Sequence, residues 1–279
     1  MPSDMFKWAR RIEGFEDIPN HFKEYFQVFV KDDGLPYTIL APEHRRGRRK
    51  ANEKMICIHE KYISYLERNN HKIVHKVYPL EDIIQIEHGK ILLYSWIKIS
   101  ACIDNALDCF IVEYNTVTEF LFAEVITIIR TSIGTLNELL YKKEKSDIDK
   151  IELLEYKFKN YARYCLLPES EVIGLVFQQK IKKRCLGFLH KNISPTHLVM
   201  LTNKELIIIK EDDKMTKSTS AYCQIYNYIP LNKIKMLTVN RDSGTMIMLR
   251  IQLINETRVQ IKYEPAQENA LYQMTNLFH

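Results

Sequence analysis

The chain has 279 residues, enough for two domains of ordinary size that each bury a hydrophobic core. Hydrophobic residues make up 46% of the chain and charged residues 27%, with a formal net charge of +5, and this balance argues against intrinsic disorder. No apolar run reaches the roughly 18–20 residues that a helix needs to cross a bilayer, so the sequence predicts no transmembrane helix.

The first half of the chain reads as two short helices followed by strands. Apolar residues recur near helical spacing over residues 5–30, and Pro19 interrupts them. Apolar runs then predict strand structure at 36–41, 54–67 (a hairpin), 72–78, 83–88, 90–102 and 108–114. Asp104-Asn105 is a turn signal before the last of these strands. Thr116 and Glu119 have the spacing of a capping box, so we expect a helix to begin there.

The second half repeats this plan after a charged stretch at 142–147, where we place the domain boundary. A helix is predicted near 148–165, and strands are predicted at 171–179, at 197–210 (a hairpin) and at 258–263. A further strand is predicted to end at Tyr228. Pro265 stands in the first turn of a closing helix. Each half therefore contains about seven strands and one C-terminal helix.

Three segments recur in the same order in both halves. The segment Phe22-Lys23-Glu24-Tyr25 matches Phe158-Lys159-Asn160-Tyr161. The hairpin at 55–67 matches the one at 198–210, and residues 78–83 match 229–234 through a shared Pro-Leu pair. Self-similarity in a fixed order indicates repeated structural units. The sequence therefore predicts two copies of one small β-rich module.

Seven strands closed by an amphipathic helix resemble the pleckstrin-homology (PH) superfold, most closely its bacterial PH-like and GRAM-type modules. The likeness rests on Val199–Ile209, an apolar strand that ends in Thr202 before a turn and a second strand, and on Ile229–Ile234 with its Ile-Pro-Leu pattern. It implies an α+β, mainly β, fold. This fold has two PH-like bent antiparallel β-sandwich or barrel modules, each closed by a C-terminal helix, with extra helices before each copy.

The resemblance divides the chain into four parts. These are an N-terminal helical segment at 1–34, a first PH-like domain at 35–142, a charged helical connector at 143–167 and a second PH-like domain at 168–279.

Two basic loops are the main candidate sites. Five of the six residues at 45–50 are basic, and without them the net charge of +5 would be zero. They are Arg45, Arg46, Arg48, Arg49 and Lys50, and the second copy has Lys180, Lys182, Lys183 and Arg184 in the corresponding loop. The resemblance places both clusters between the first and second strands, where many PH domains bind inositol phosphates. We therefore expect them to bind an anionic ligand or membrane surface, although such loops can also serve only solubility.

The N-terminal residues add a second candidate contact with a membrane. Apolar and basic side chains alternate there, in Phe6, Lys7, Trp8, Arg10 and Arg11. This mixture predicts an interfacial amphipathic helix. The alternative is that Trp8 packs on the domain.

Other classes of function find less support in the sequence. The basic loops lack the aromatic platforms of nucleic-acid modules, with Tyr37 the only aromatic residue nearby, so we do not expect a nucleic-acid partner. His71 and His75 would lie about 13 Å apart in a strand, too far to share one ion, so we expect no metal and no cofactor. The motifs GxSxG, GxGxxG, HExxH and the P-loop are absent, so we predict no catalytic residue and no enzyme.

The rival to lipid binding is a protein–protein adaptor. Several aromatic residues lie in predicted strands, and an exposed sheet edge accepts a partner strand by main-chain pairing. They are Tyr62, Tyr65, Tyr94, Trp96, Tyr222, Tyr226 and Tyr228. The six cysteines form no CxxC pair and the N-terminus lacks a secretory signal pattern. We therefore expect a non-enzymatic cytoplasmic binding protein, peripheral at the inner face of the membrane if it binds lipid.

Overall fold

A computed structural model describes residues 8–26, 35–46, 49–70, 72–134, 148–185, 189–211, 223–241 and 246–278. The chain divides into two compact units. Unit 1 comprises Met1–Ile83 and Leu92–Ser132, and unit 2 comprises Ile84–Ile91 and Ile133–His279. The predicted boundary at 142–147 lies outside the described residues.

Unit 1 begins with a sheet whose strands pair antiparallel. The first elements in chain order are β1 (Arg10–Ile12), α1 (Asn20–Phe26), β2 (Tyr37–Ala41), β3 (His44–Arg46), β4 (Arg49–Ala51), β5 (Glu53–Ile58), β6 (Tyr62–Asn69) and β7 (Lys72–Pro79). The larger sheet has the order β1-β2-β5-β6-β7, and the hairpin β3–β4 joins β2 to β5. A 3-10 turn at Leu80–Asp82 follows β7.

The N-terminal segment covers the outer face of this sheet. Phe22 and Phe26 of α1 are fully buried, and they pack with Ile12 and Ile18 against the sheet residues Leu40, Met55, Cys57 and Leu66. Burying a phenylalanine side chain contributes about 1.5–3 kcal/mol, so the two rings tie α1 firmly to the sheet. As a result β5 is apolar on both faces, because one face meets α1 and the other meets the interior of the unit.

The rest of unit 1 is a hairpin and a helix. The next elements are β8 (Ile83–Ile91), β9 (Tyr94–Ile103), β10 (Ala106–Asn115) and α2 (Glu119–Gly134). Asp104 and Asn105 have positive φ angles of 50° and 64°, the conformation of a type I′ hairpin turn, which confirms the predicted turn. The ring of Phe110 in β10 stacks on Tyr65 of β6, with 4.5 Å between ring centroids. This stack joins the β9–β10 hairpin to the larger sheet of unit 1.

The predicted capping box at the start of α2 is wrong. The side chain of Asn115 accepts a hydrogen bond from the backbone N–H of Val117 (3.0 Å) and caps a 3-10 turn at Thr116–Thr118 that leads into α2. The hydroxyl of Thr116 instead shares a 2.8 Å hydrogen bond with Ser95 of β9. The sequence pattern missed this because the competing partner lies 21 residues away.

Unit 2 has a larger and a smaller antiparallel sheet. Its elements in chain order are α3 (Ile148–Glu152), α4 (Tyr156–Cys165), β11 (Val172–Gln178), β12 (Ile181–Cys185), β13 (Leu189–Ser194), β14 (His197–Thr202), β15 (Glu205–Glu211), β16 (Cys223–Pro230), β17 (Ile234–Arg241), β18 (Ile247–Leu253), β19 (Arg258–Tyr263) and α5 (Glu268–Asn276). Within this unit the larger sheet has the order β8-β16-β15-β14-β11, and Ile84–Ile91 of β8 contributes the strand that pairs with β16. The smaller sheet has the order β17-β18-β19.

Helices cover unit 2 on two sides. Phe158 of α4 is buried and meets Phe177 of β11 edge-on, with 5.0 Å between ring centroids. Leu271 and Met274 of α5 are buried against the sheets, and a Cβ atom at Gly174 would lie 2.8 Å from Cγ of Met274. Only glycine therefore lets α5 approach β11 this closely.

The same order of elements occurs twice along the chain. A helix (α1 or α4) precedes a first strand, a hairpin (β3–β4 or β12–β13), three further strands, a Pro-Leu 3-10 turn, three more strands and a closing helix (α2 or α5). The repeated sequence motifs stand at equivalent places, since Phe22 and Phe158 are buried helix residues and Leu80 and Leu231 are buried turn residues. The mainly β, α+β fold class is confirmed. Within the described residues the antiparallel sheets do not close into barrels, and the PH-like identity of the modules stays a prediction.

Candidate functional site

The basic cluster of unit 1 is a two-stranded hairpin rather than a loop. Its backbone pairs Arg45 with Lys50 and Arg46 with Arg49. Arg48 lies outside the described residues, as do the side chains of Arg45, Arg46 and Arg49. Like charges directly opposite each other destabilise an antiparallel pair. The backbone register therefore places basic residues opposite each other along this hairpin.

Lys50 is the one cationic side chain of this hairpin that the structure describes. It is exposed and forms a 2.8 Å ion pair with Glu43. Exposed ion pairs of this kind contribute about 0–1 kcal/mol, so an incoming anion can replace Glu43 at little cost.

The basic cluster of unit 2 is the corresponding hairpin, β12–β13. Lys182 and Lys183 are exposed, Lys180 is half-buried just before β12, and the side chain of Arg184 lies outside the described residues. The register places Lys183 opposite Lys191 of β13, which the sequence reasoning missed. The sequence contained a signal for this pairing. Lys191 follows Lys180 by 11 residues, a spacing that places it on the returning strand of a hairpin.

The predicted interfacial helix at the N-terminus is wrong where the structure describes it. Arg10 and Arg11 lie in β1, which pairs antiparallel with β2 opposite Leu40 and Ile39. Phe6 and Lys7 lie outside the described residues. Pairing with β2 satisfies the backbone and buries Ile12, whereas a short isolated helix must bear the cost of nucleation without such contacts.

A groove of about 860 Å³ runs in unit 1 between β1 and α2. Trp8, Val117 and Phe120 contribute apolar surface to it, and their side chains are 37%, 52% and 69% exposed. Both arginines of β1 line it as well. The groove thus brings Trp8, Arg10 and Arg11, which the sequence assigned to one helix, together with Val117 and Phe120 from a distant part of the chain.

Opposite charges meet at the Tyr37 end of this groove. The guanidinium of Arg11 lies 4.7 Å from the ring centroid of Tyr37, whose hydroxyl donates a 3.0 Å hydrogen bond to the carbonyl of Leu121. The acidic residues Glu13 and Glu124 also line the groove, and the pKa of Tyr37 is raised by burial and then by the negative charge of Glu124. The carboxylate of Glu124 therefore lies at the Tyr37 end.

Most of the candidate aromatic residues are packing residues. Tyr65, Tyr226 and Tyr228 are buried, whereas Tyr62, Tyr94 and Trp96 are half-buried. Tyr222 lies outside the described residues. The hydroxyl of Tyr94 donates a 2.6 Å hydrogen bond to Glu113 of the neighbouring strand. Sheet packing therefore accounts for the buried members of this set.

A buried cysteine contacts a histidine in unit 1, which the sequence analysis did not anticipate. The Sγ atom of Cys57 lies 3.3 Å from Nε2 of His59 and accepts a hydrogen bond from Thr38. Burial raises the pKa of the Cys57 thiol to about 11, against a smaller lowering effect of the bond from Thr38. The sulfur is therefore a neutral thiol at neutral pH and is not primed as a nucleophile.

No protein-family model matches the chain, and no curated protein matches it significantly. Among the described helices, none is both long and apolar enough to cross a bilayer. In the described ranges, no three histidine, cysteine, aspartate or glutamate side chains gather closely enough to hold a metal ion together.

Proposed function

We propose that this chain is a non-enzymatic protein of two tandem PH-like modules that attaches to anionic membrane surfaces or phosphorylated head groups through its basic hairpins. The observation that carries the proposal is the repeated position of these hairpins. In both copies a basic hairpin follows the first strand after the leading helix, with β3–β4 between β2 and β5 and β12–β13 between β11 and β14. The order of strands, turn and closing helix in each copy supports the PH-like interpretation.

The charge of the hairpins is large enough for useful binding. Each basic residue held near an anionic leaflet contributes about 1 kcal/mol. The four arginines of the first hairpin would then contribute about 4 kcal/mol, or roughly a thousandfold in partitioning. Such attraction is screened by salt, since the Debye length shrinks from about 10 Å at 0.1 M ionic strength to about 3 Å at 1 M.

A protein–protein adaptor is the second candidate, and β10 favours it. Among the described residues β10 pairs only with β9, so its other edge is open. Leu107, Cys109 and Ile111 alternate along it and are exposed on one face. Proteins usually protect open, apolar edge strands, because such strands pair with other chains.

Vesicle co-sedimentation with two charge-matched variants tests the lipid proposal. The first replaces Arg45, Arg46, Arg48 and Arg49 by alanine, and the second replaces the exposed Lys61, Lys72, Arg250 and Arg258 by alanine. Both lower the net charge from +5 to +1, because each removes four positive charges. They therefore differ only in where the charge is removed.

We expect the unaltered protein to bind phosphatidylcholine vesicles that contain about 30 mol% phosphatidylglycerol at low salt, and the control variant to retain most of this binding. The hairpin variant should bind these vesicles at least tenfold more weakly than the unaltered protein. Absence of binding by the unaltered protein at low salt would overturn the proposal and favour the adaptor. Equal losses in the two variants would show a response to net charge rather than to the hairpin.

A further inference from the structure

Two leucines form an exposed turn immediately before β9. Leu92 and Leu93 are 56% and 68% exposed, and Leu92 has a φ angle of 53°. Asparagine and glycine are the usual residues at such a position, and a left-handed conformation costs other residues roughly 1–2 kcal/mol. Neither the backbone nor the core of the protein gains from leucine here. The pair is therefore retained for a contact made outside the chain.

Further exposed apolar residues lie beside this turn. The backbone N–H of Thr116 donates a 3.1 Å hydrogen bond to the carbonyl of Leu93, which brings the start of α2 against the turn. Val117 follows directly, and Phe120, the most exposed of the group, stands one helical turn later on the same face. Both line the groove together with Trp8. We call Leu92, Leu93, Val117, Phe120 and Trp8 the apolar tip.

The apolar tip lies at the same end of unit 1 as the basic hairpin. Strand β1 runs antiparallel to β2, with Arg10 opposite Leu40, so Trp8 precedes β1 at the end of β2 from which the hairpin leaves. Lys54, opposite Ala41, reaches to within 3.9 Å of Glu113 near the end of β10, and β10 leads into α2. Glu124 lies at the Tyr37 end of the groove, where Arg11 stands over the tyrosine ring.

We propose that the apolar tip inserts into the outer apolar layer of an anionic membrane leaflet while the adjoining basic hairpin holds the lipid phosphates. This inference rests on the proposed membrane function and names the part of unit 1 that enters the lipid. The occupant follows from charge complementarity, because Trp8 lies at the end of β2 beyond which the sequence holds four arginines and a lysine within six residues. A rim tryptophan beside leucine and phenylalanine is the composition that interfacial membrane contacts favour.

The test variant replaces the turn by one that folds more readily. Leu92→Gly/Leu93→Asn places glycine at the position of positive φ, as a type II′ hairpin turn prefers, so the variant should fold at least as well as the parent. Leu153→Asn is the matched control, because Leu153 follows α3 in unit 2, is 85% exposed and lies outside the tip. Thermal unfolding of both variants checks that any loss of binding has no folding origin.

Binding is measured on phosphatidylcholine vesicles with about 30 mol% phosphatidylglycerol, at low and high salt. We expect the turn variant to bind about tenfold more weakly, since the exposed apolar surface of two leucines no longer enters the lipid. Its remaining binding should be abolished by salt, whereas the parent and Leu153→Asn should keep a fraction that resists salt.

Tryptophan fluorescence reports insertion directly. The chain has two tryptophans, so a Trp96→Phe background leaves Trp8 as the sole emitter. Vesicles should shift its emission to the blue, and lipids brominated near the head-group end of their chains should quench it. Both effects should decrease in the turn variant, because the tip then no longer anchors the groove in the lipid.

The outcomes separate the tip from the proposed function. If Trp8 is not quenched in the parent, or if the turn variant binds and is quenched as strongly as the parent, the leucines do not anchor the tip in the lipid and the inference fails, while binding through the basic hairpins still stands. If the parent fails to bind anionic vesicles at low salt, the membrane function fails and the inference with it. Salt-resistant binding to vesicles that is lost only in the turn variant supports the proposal.

Discussion

His197 of β14 makes the stability of unit 2 depend on pH in a way that one substitution can remove. The side chain is 2% exposed, its Nδ1–H donates a 2.9 Å hydrogen bond to the carbonyl of Pro195, and its ring meets Tyr263 edge-on. In the described residues neither Nε2 of His197 nor the hydroxyl of Tyr263 has a partner. A proton on Nε2 would therefore be buried beside an apolar ring surface.

The size of the effect follows from the pKa of this histidine. Burial lowers the pKa from 6.5 to about 4, the hydrogen bond to Pro195 opposes this shift and the charge of Lys210 adds to it. The difference of 2.5 pH units corresponds to about 3 kcal/mol. Because the unfolded chain binds the proton more tightly, the free energy of unfolding is unaffected above pH 7 and decreases as the pH falls from about 6.5 towards 4.

Urea unfolding at a series of pH values between 7.5 and 4 measures this dependence. In His197→Asn, where the amide can still donate to Pro195, the decrease should be smaller by about 3 kcal/mol. His44→Asn is the matched control, because Nδ1 of the half-buried His44 lies 3.4 Å from the carbonyl of Pro42 in the same Pro-x-His arrangement. A His197→Asn protein with the pH dependence of the parent would refute the reasoning.

Three further predictions concern stability. Gly174→Ala should destabilise the protein by about 1–3 kcal/mol in urea, because the new Cβ meets Met274 at 2.8 Å, and an unchanged midpoint would show that α5 shifts freely. Asn115→Ala should cost about 1 kcal/mol by removing the cap before α2, with Asn115→Asp as the variant that retains the acceptor. Burial alone would raise the pKa of Asp108, but hydrogen bonds from Lys76, the backbone of Cys109 and Tyr78 lower it, so stability should fall as the pH drops below about 4. In Lys76→Met the free energy of unfolding lost below pH 4 should be smaller by less than about 1 kcal/mol, because the side chains of Lys76 and Asp108 are both more than one-third exposed. Urea unfolding at low pH measures this loss, and a larger difference between parent and variant would contradict the prediction.

Local patterns were sufficient for the elements that repeat along the chain. The strands β5 to β10 and the closing helices follow from period-two and helical spacing of apolar residues, which depend only on near neighbours. The turn at Asp104-Asn105 follows from residues that tolerate positive φ. The two basic clusters were likewise visible as composition, and their placement after the first strand that follows each leading helix agrees with the repeat.

Tertiary contacts decided the features that carry the candidate site. Arg10–Ile12 is too short and too polar to read as a strand, and it becomes one only because β2 offers an edge and the core accepts Ile12. Leu92 and Leu93 carry no turn signal, so their exposure and the backbone strain at Leu92 became evident only in the fold. Strand and helix periodicity acts over a few residues, and it therefore determined many of the strands and the closing helices of this protein from the sequence alone. The groove and the apolar tip join residues about 30 to 110 positions apart, and such pairings depend on which surfaces the packed sheets leave open.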